Sequence, residues 1–474
     1  MTRTFSPSAQ VNKIRSQIDH PIIDGDGHFF EFYPVVQEYL QKQGGSELAK
    51  RFSNHRRHPR KIGAYWGAPT KNTLDRATAI LPDLMYRRLD EVGVDFALQY
   101  PSAGLSAVAI RDDELRVSLT RALNSYYADL FAPFRDRMTP IAVIPMFTPE
   151  EAIAALDHAV VKLGLKAVLM GGNIPRVGTD EHGAAFTWID SLGHGSAFDY
   201  SPVWERCERL GVVPTFHNIG FGWGTRVSTS NFVHNHIGHF ATAQEAILRS
   251  LILGGVPMKF PKLKFAFLEG GVSWACQLYA DLLGHYGKRN KGVIHNYDPF
   301  LLDTAMLGEL FDQYATGPLA GRKDRSEISP ERITVGQLRP DSIDDFAESG
   351  IRGPEDITRM FTQQFFFGCE ADDPLNALAF NDKLLPHGAR LNAVLGSDIG
   401  HWDVTDIREV LPEAWEMVED GHLELAQFRE FTFGNVVRML TSGNPKFFDG
   451  TVVETAVRSE MQTRRLKAAE AASA

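Results

Sequence analysis

Four apolar stretches of this 474-residue chain end on side chains that bind divalent cations or carry protons. The first, Pro21-Ile-Ile-Asp-Gly-Asp-Gly-His28, ends in Asp24, Asp26 and His28. Others close on His217, Glu269 and Asp398. Alternate residues of a strand share a face, so Asp26 and His28 can point the same way. Carboxylates and imidazoles converging on one point make a divalent-metal site. Gly25, Gly27, Gly270, Gly271 and Gly396 flank these residues and let groups approach the backbone closely. Each candidate alone also has a structural reading. Asp-x-Asp-x-His fits a turn, His217 a hydrogen-bonded interior histidine, and Glu269 and Asp398 helix caps. The set is stronger than its parts, because every member ends a strand-like run.

A second tier lies in loops. His234-Asn-His-Ile-Gly-His239 holds three histidines in six residues, of which His236 is a candidate substrate contact and His239 a candidate catalytic group; a surface or interface cluster is the competing reading. His401 follows Asp398 by three residues and is a candidate substrate contact or ligand partner. Arg176 and Trp223 are candidate substrate contacts, Trp223 ranking lower with Glu31, Asn218 and Glu370, which also lie beyond strand ends.

The elements that must carry these residues follow a βα rhythm. Eight strand-like runs are Pro21–His28, Val94–Tyr100, Met138–Pro145, Lys166–Met170, Gly211–His217, Leu263–Glu269, Gln364–Cys369 and Leu391–Asp398. Segments of helical period separate them, as in an α/β, distorted (β/α)8 TIM barrel, whose chemistry sits at the carboxyl ends of the strands. Thr148-Pro149-Glu150-Glu151 marks a helix start, with an N-cap, a proline at the first position and acidic residues in the first turn. The organisation expected is an N-terminal polar arm over 1–20, a barrel over 21–450 and a tail over 451–474, exposed as a helix or disordered. Two segments depart from the rhythm. Residues 30–85 read as a polar, irregular cap over the mouth, and 286–360 as a long insertion between strands six and seven, serving as lid or interface.

Composition narrows the function classes. Hydrophobic residues make up 43% and charged residues 23%, enough for a sizeable core. A formal net charge of −10 argues against a nucleic-acid partner, since phosphate binding needs a basic face. No run of about 18 apolar residues would span a membrane, and the polar N-terminus lacks the apolar centre of a secretory signal. Cys207, Cys276 and Cys369 are few and far apart, which fits a reducing cytoplasm better than a disulfide framework. With 31 Phe against 12 Tyr, an apolar or aromatic small-molecule substrate is the expectation, although most Phe should serve the core.

The chain resembles the amidohydrolase superfamily, in particular the branch with aminocarboxymuconate-semialdehyde decarboxylase and related aromatic-acid decarboxylases. The resemblance covers about residues 20–450. It rests on Ile23-Asp-Gly-Asp-Gly-His28, Gly93–Pro101, Pro214-Thr-Phe-His217, Phe260–Gly271, Gly396-Ser-Asp-Ile-Gly-His-Trp402 and Phe433-Gly-Asn435. It implies that the His-x-His motif of strand one falls on Asp26 and His28, the strand-five ligand on His217, and the strand-eight ligand and proton carrier on Asp398. Two positions depart from the family pattern: Asp26 replaces the first histidine, and Glu269 stands where relatives often carry histidine. Lys166 begins the fourth run rather than ending it, so a carbamate-bridged metal pair is not expected. A carboxylate-rich shell of Asp26, His28, His217, Glu269 and Asp398 shifts the expected ion from Zn2+ toward Mn2+ or Fe2+.

Hydrolysis is the leading expectation. Metal held there would lower the pKa of a bound water from 15.7 toward about 7, with Asp398 as general base and Glu269 as ligand or second proton carrier. The alternatives are non-oxidative decarboxylation of an aromatic or enoic acid, with Arg176 as a candidate grip for its carboxylate, and di-iron oxygenation. A metal-free scaffold on a retired barrel would show lost ligands, and none is lost. A homodimer or larger symmetric assembly is expected.

Overall fold

The computed structural model describes residues 3–57, 68–220, 222–322 and 343–473. Its centre is a parallel sheet of eight strands: β1 (Ile23–Phe29), β2 (Phe96–Pro101), β3 (Met138–Ile144), β4 (Ala167–Met170), β7 (Pro214–Phe216), β8 (Phe265–Phe267), β9 (Phe365–Glu370) and β10 (Asn392–Gly396). Each falls on one of the eight expected runs. Between β4 and β7 the chain adds an antiparallel hairpin, β5 (Ile174–Thr179) and β6 (Ala185–Asp190), which periodicity did not announce. All five longest barrel strands are almost wholly buried, as parallel strands covered by helices must be.

The barrel closes where β10 meets β1. Asp398 N donates to Asp26 O at 3.0 Å, and His28 N donates to Ile399 O at 3.2 Å. The buried Asp24 carboxylate completes the seam, accepting from Ser397 N at 3.0 Å and from Ser397 Oγ at 2.6 Å. Asp24 is therefore a cross-strand tie. A Cβ on Gly27 would come within 2.4 Å of Asp24 Oδ2, so this close approach requires glycine.

Phenylalanine mostly fills the interior. Phe265, Phe267, Phe365, Phe366 and Phe367 are 0% exposed, and Phe267 stacks on Phe216 with centroids 5.6 Å apart. Each buried ring contributes about 1.5–3 kcal/mol by leaving water.

The segment 30–85 is more regular than its polarity suggests. It forms a helix over Tyr33–Arg57, kinked at Gly45 (φ +83°), and a second over Thr73–Thr78. The first runs along the outer helix Asp113–Phe131, so it is anchored to the flank of the barrel. Its polarity reflects one solvated face rather than irregular chain; residues 58–67 of this segment lie outside the described residues. In the insertion after β8, helices cover Ser273–Arg289, Thr304–Tyr314 and Pro354–Gln363. Most of the charged stretch within it, 323–342, also lies outside the described residues. Thr148 caps its helix as expected, accepting from Glu151 N at 3.2 Å.

The first and last described helices belong to the packed fold. Helix Ala9–Arg15 buries Val11 and Ile14. The C-terminal tail is a helix over Glu454–Ser473. It docks through buried Val457 and through Glu460, which pairs with Arg429 and Arg464. Among the described residues the three cysteines are free and buried, and no helix is long and apolar enough to cross a membrane.

Candidate metal centre

Strand ends bring five of the sequence candidates to one point. His28 Nε2 lies 3.6 Å from Asp26 Oδ1, 3.3 Å from Asp398 Oδ1 and 3.8 Å from Glu269 Oε2. His217 Nε2 lies 2.5 Å from Glu269 Oε2 and 3.8 Å from Asp26 Oδ2. His401 joins them, with Nδ1 2.5 Å from Asp398 Oδ1. Two overlapping groups of possible ligand atoms each fit within 4.8 Å: His28, Glu269, Asp398 and His401, and Asp26, His28 and His217.

Backbone strain helps aim two of these side chains. Glu269 (φ 55°) and Asp398 (φ 48°) both adopt the left-handed conformation just beyond β8 and β10. That region disfavours side-chain-bearing residues and recurs at functional sites. In β1 the pairing with β2 shifts register between Asp24 and Gly27. This irregularity leaves Asp24 turned to the seam while Asp26 joins the cluster.

The electrostatics describe a site short of positive charge. Burial is the first cause at every member. It pushes Asp26, Glu269 and Asp398 well above the usual carboxylate range, and the neighbouring carboxylates add to it. Burial also holds His28 and His217 below the usual imidazole range, so they are neutral. Neutral imidazoles cannot balance the acids, whereas a divalent cation would reverse this logic by favouring every ionised carboxylate. The atoms facing the centre fit that reading. His28 Nε2, His217 Nε2, Asp26 Oδ1 and Glu269 Oε2 are buried with no hydrogen-bond partner, a costly state unless something else binds them.

A cavity of about 230 Å3 adjoins the centre, lined by His236, Phe240, Glu269, Glu370, Asp373 and Trp402 among others. Glu370 ends β9, and its pKa is pushed up to about 9 by burial and then by Asp403 and Glu269. No arginine or lysine lines this cavity among the described residues.

The remaining candidates fall elsewhere. His239 starts the helix His239–Leu253, fully buried, where its Nδ1 accepts from Gly220 N at 3.3 Å; it stands outside both groups of candidate ligands. Arg176 sits on β5, its guanidinium engaged by Asp190 Oδ2 (3.1 Å), Phe147 O (2.8 Å) and Tyr200 Oη (3.0 Å). Its proposed grip on a substrate carboxylate is therefore replaced by a structural role. Trp223 lies on a half-exposed turn in the loop after β7. Asn218 Oδ1 accepts from Gly172 N at 3.1 Å, linking two strand-end loops. Glu31 is a buried clamp on the loop after β2. Sequence reasoning missed Phe240, Asp373 and Trp402; only Trp402 had a signal, as the last residue of the motif that contains Asp398.

Comparisons with known proteins agree with this picture. The amidohydrolase family pattern matches residues 23–290, more than half of the chain. The curated 2-amino-3-carboxymuconate-6-semialdehyde decarboxylase of Dictyostelium discoideum is 27% identical over 158 residues, 33% of this chain, and the chain covers only 39% of that protein's length. An amidohydrolase from Mycobacterium avium subsp. paratuberculosis K-10 aligns over 89% of this chain and 100% of its own, with a TM-score of 0.52 and 16% identity. A dihydroxybenzoic acid decarboxylase from Polaromonas sp. JS666, with bound manganese and the inhibitor 2-nitroresorcinol, aligns over 91% of this chain and 100% of its own, with a TM-score of 0.50 and 15% identity. At such identities the two structures speak for the fold alone. With its sequence pattern running from the first barrel strand past the sixth, the chain belongs to the amidohydrolase family.

Proposed function

We propose that this protein is a metal-dependent, non-oxidative decarboxylase of a small aromatic or enoic acid. The observation that carries metal dependence is the cluster of buried, unpartnered ligand atoms on His28, His217, Asp26 and Glu269. The names of the similar proteins favour decarboxylation over the hydrolysis expected from the sequence, for which the family name is the remaining support.

Asp26, His28, His217, Glu269 and Asp398 would hold the ion, and Mn2+ suits their carboxylate-rich chemistry. When bound, it supplies the positive charge that a substrate carboxylate needs. No side-chain cation among the described cavity residues competes for that task. Phe240 and Trp402 offer apolar faces to a flat substrate frame. The carbon–carboxylate bond breaks to release CO2, and its electron pair stays on the substrate carbon. Asp398, just beyond the last barrel strand, is the group that delivers a proton to that carbon. Burial of the cluster keeps water from the reacting centre.

Elemental analysis of purified protein and a CO2-release assay against hydroxylated benzoic acids test this reading. Stoichiometric manganese or iron with CO2 as product is the expected outcome. Metal-free wild type, a hydrolysed product without CO2, or oxygen consumption would each overturn it.

A further inference from the structure

We propose that Ser102 is a positioning residue of the metal centre, acting through His401; this rests on the metal-binding reading above. Ser102 follows β2 directly, and its Oγ lies 3.1 Å from His401 Nε2. The opposite ring nitrogen, Nδ1, lies 2.5 Å from Asp398 Oδ1. One side chain thus links a hydroxyl just after β2 to a candidate ligand just after β10.

The imidazole has little freedom to turn. His28 packs against it with centroids 4.0 Å apart and planes tilted by 34°. Phe30 meets it edge-on at 5.9 Å, and His401 N donates to Asp398 O at 3.1 Å. A neutral imidazole has one donor and one acceptor nitrogen, and what one nitrogen binds decides the other. With the Ser102 hydroxyl donating to Nε2, the ring proton sits on Nδ1 and faces Asp398 Oδ1, a buried oxygen with no hydrogen-bond partner of its own. That contact orients the carboxylate, as outer partners do at metal sites. Without the hydroxyl the tautomer can invert, leaving an Nδ1 lone pair against the carboxylate oxygen.

The loop presenting Ser102 is itself held in place. Ser102 N donates to Phe29 O at 3.0 Å. The next two backbone amides, Ala103 N and Gly104 N, donate to Glu31 at 2.8 and 2.9 Å, and Tyr127 Oη donates to Glu31 Oε1 at 2.7 Å. Glu31 is only 5% exposed, so these bonds work in a low-dielectric setting. The extension of β1 that supplies Asp26 and His28 therefore also fixes the hydroxyl acting on Asp398.

The test is Mn2+ affinity of chelator-stripped, full-length protein by isothermal titration, with the melting temperature of each metal-free variant alongside. Ser102→Ala should raise the Mn2+ Kd by roughly ten-fold or more. Ser102→Thr, which keeps the hydroxyl, should restore most of the affinity. Ser102→Cys keeps the volume with a poor donor and should bind weakly too, so a packing defect in Ser102→Ala cannot stand in for the effect. Equal affinity in wild type and Ser102→Ala overturns the proposal, as does an equal loss in Ser102→Thr. Wild type that binds no Mn2+ would instead remove the metal reading itself, and this proposal with it.

Discussion

Two regions of this molecule bury charged groups, and they do so in opposite ways. Around Arg88, which is 1% exposed, every charge is answered. Its Nε donates to Glu91 Oε2 at 2.6 Å, and its Nη1 to Asp75 Oδ1 at 2.6 Å and Thr78 Oγ1 at 2.7 Å. Asp75 in turn accepts from Ile407 N at 3.0 Å. At the barrel mouth, Asp26, Glu269 and Asp398 crowd together with only neutral imidazoles between them. The Arg88 cluster is complete and ties secondary elements together. The mouth lacks such an internal counter-charge, and the cation proposed above would supply it. Burial of charge thus marks structure where the counter-charge is internal and function where it is absent.

The largest effect separating the regions should come from replacing both His217 and Asp398 by Ala. Metal should be lost and activity should fall by more than about 100-fold, beyond what removing an outer partner alone usually costs. Full metal retention in that variant, measured by elemental analysis, would end the contrast. Arg88→Ala should do the reverse. Leaving Asp75 and Glu91 without their cation should cost about 3–5 kcal/mol in denaturant unfolding, with the metal content of the folded protein unchanged.

A smaller effect sharpens the comparison at His20, a buried histidine that belongs to neither cluster. Its Nε2 is 3.0 Å from Thr432 Oγ1, and its pKa is pushed down to about 4 by burial and then by Arg429. The unfolded chain takes up a proton near pH 6.5, whereas the folded chain resists until about pH 4. Stability should therefore be lost as pH falls through that window, by up to about 3 kcal/mol. The measurement is unfolding free energy against pH for wild type and His20→Asn; parallel curves would refute the assignment.

Much of the barrel was legible because parallel strands buried on both faces must be continuously apolar. Phe265–Phe267 and Phe365–Glu370 carry that signature. The hairpin β5–β6 was not legible, since Ala185–Thr187 are exposed and its strands show no core-facing alternation. The helix Tyr33–Arg57 was hidden for a related reason: polar residues and Gly44-Gly45 masked its period, and its packing partner, Asp113–Phe131, is distant in sequence.

Within the site, Asp26, His28, His217, Glu269 and Asp398 could be named because each ends an apolar run, a local property of the chain. Arg176 was named differently, as a cation following the fourth run that could grip a carboxylate, but Asp190, fourteen residues on, engages it. Asp24 ended the same run as Asp26 without a role of its own, and the β1 register shift and the closing contact with Ser397 supplied one. The amino-acid sequence by itself determined which residues sit at strand ends and what metals they suit, because hydrophobic runs and donor chemistry are written locally. Tertiary structure alone decided which of them share a cation-sized space, that His401 joins them and that Ser102 stands behind it. Those facts depend on barrel closure, which brings together residues almost 300 positions apart, as with Ser102 and His401.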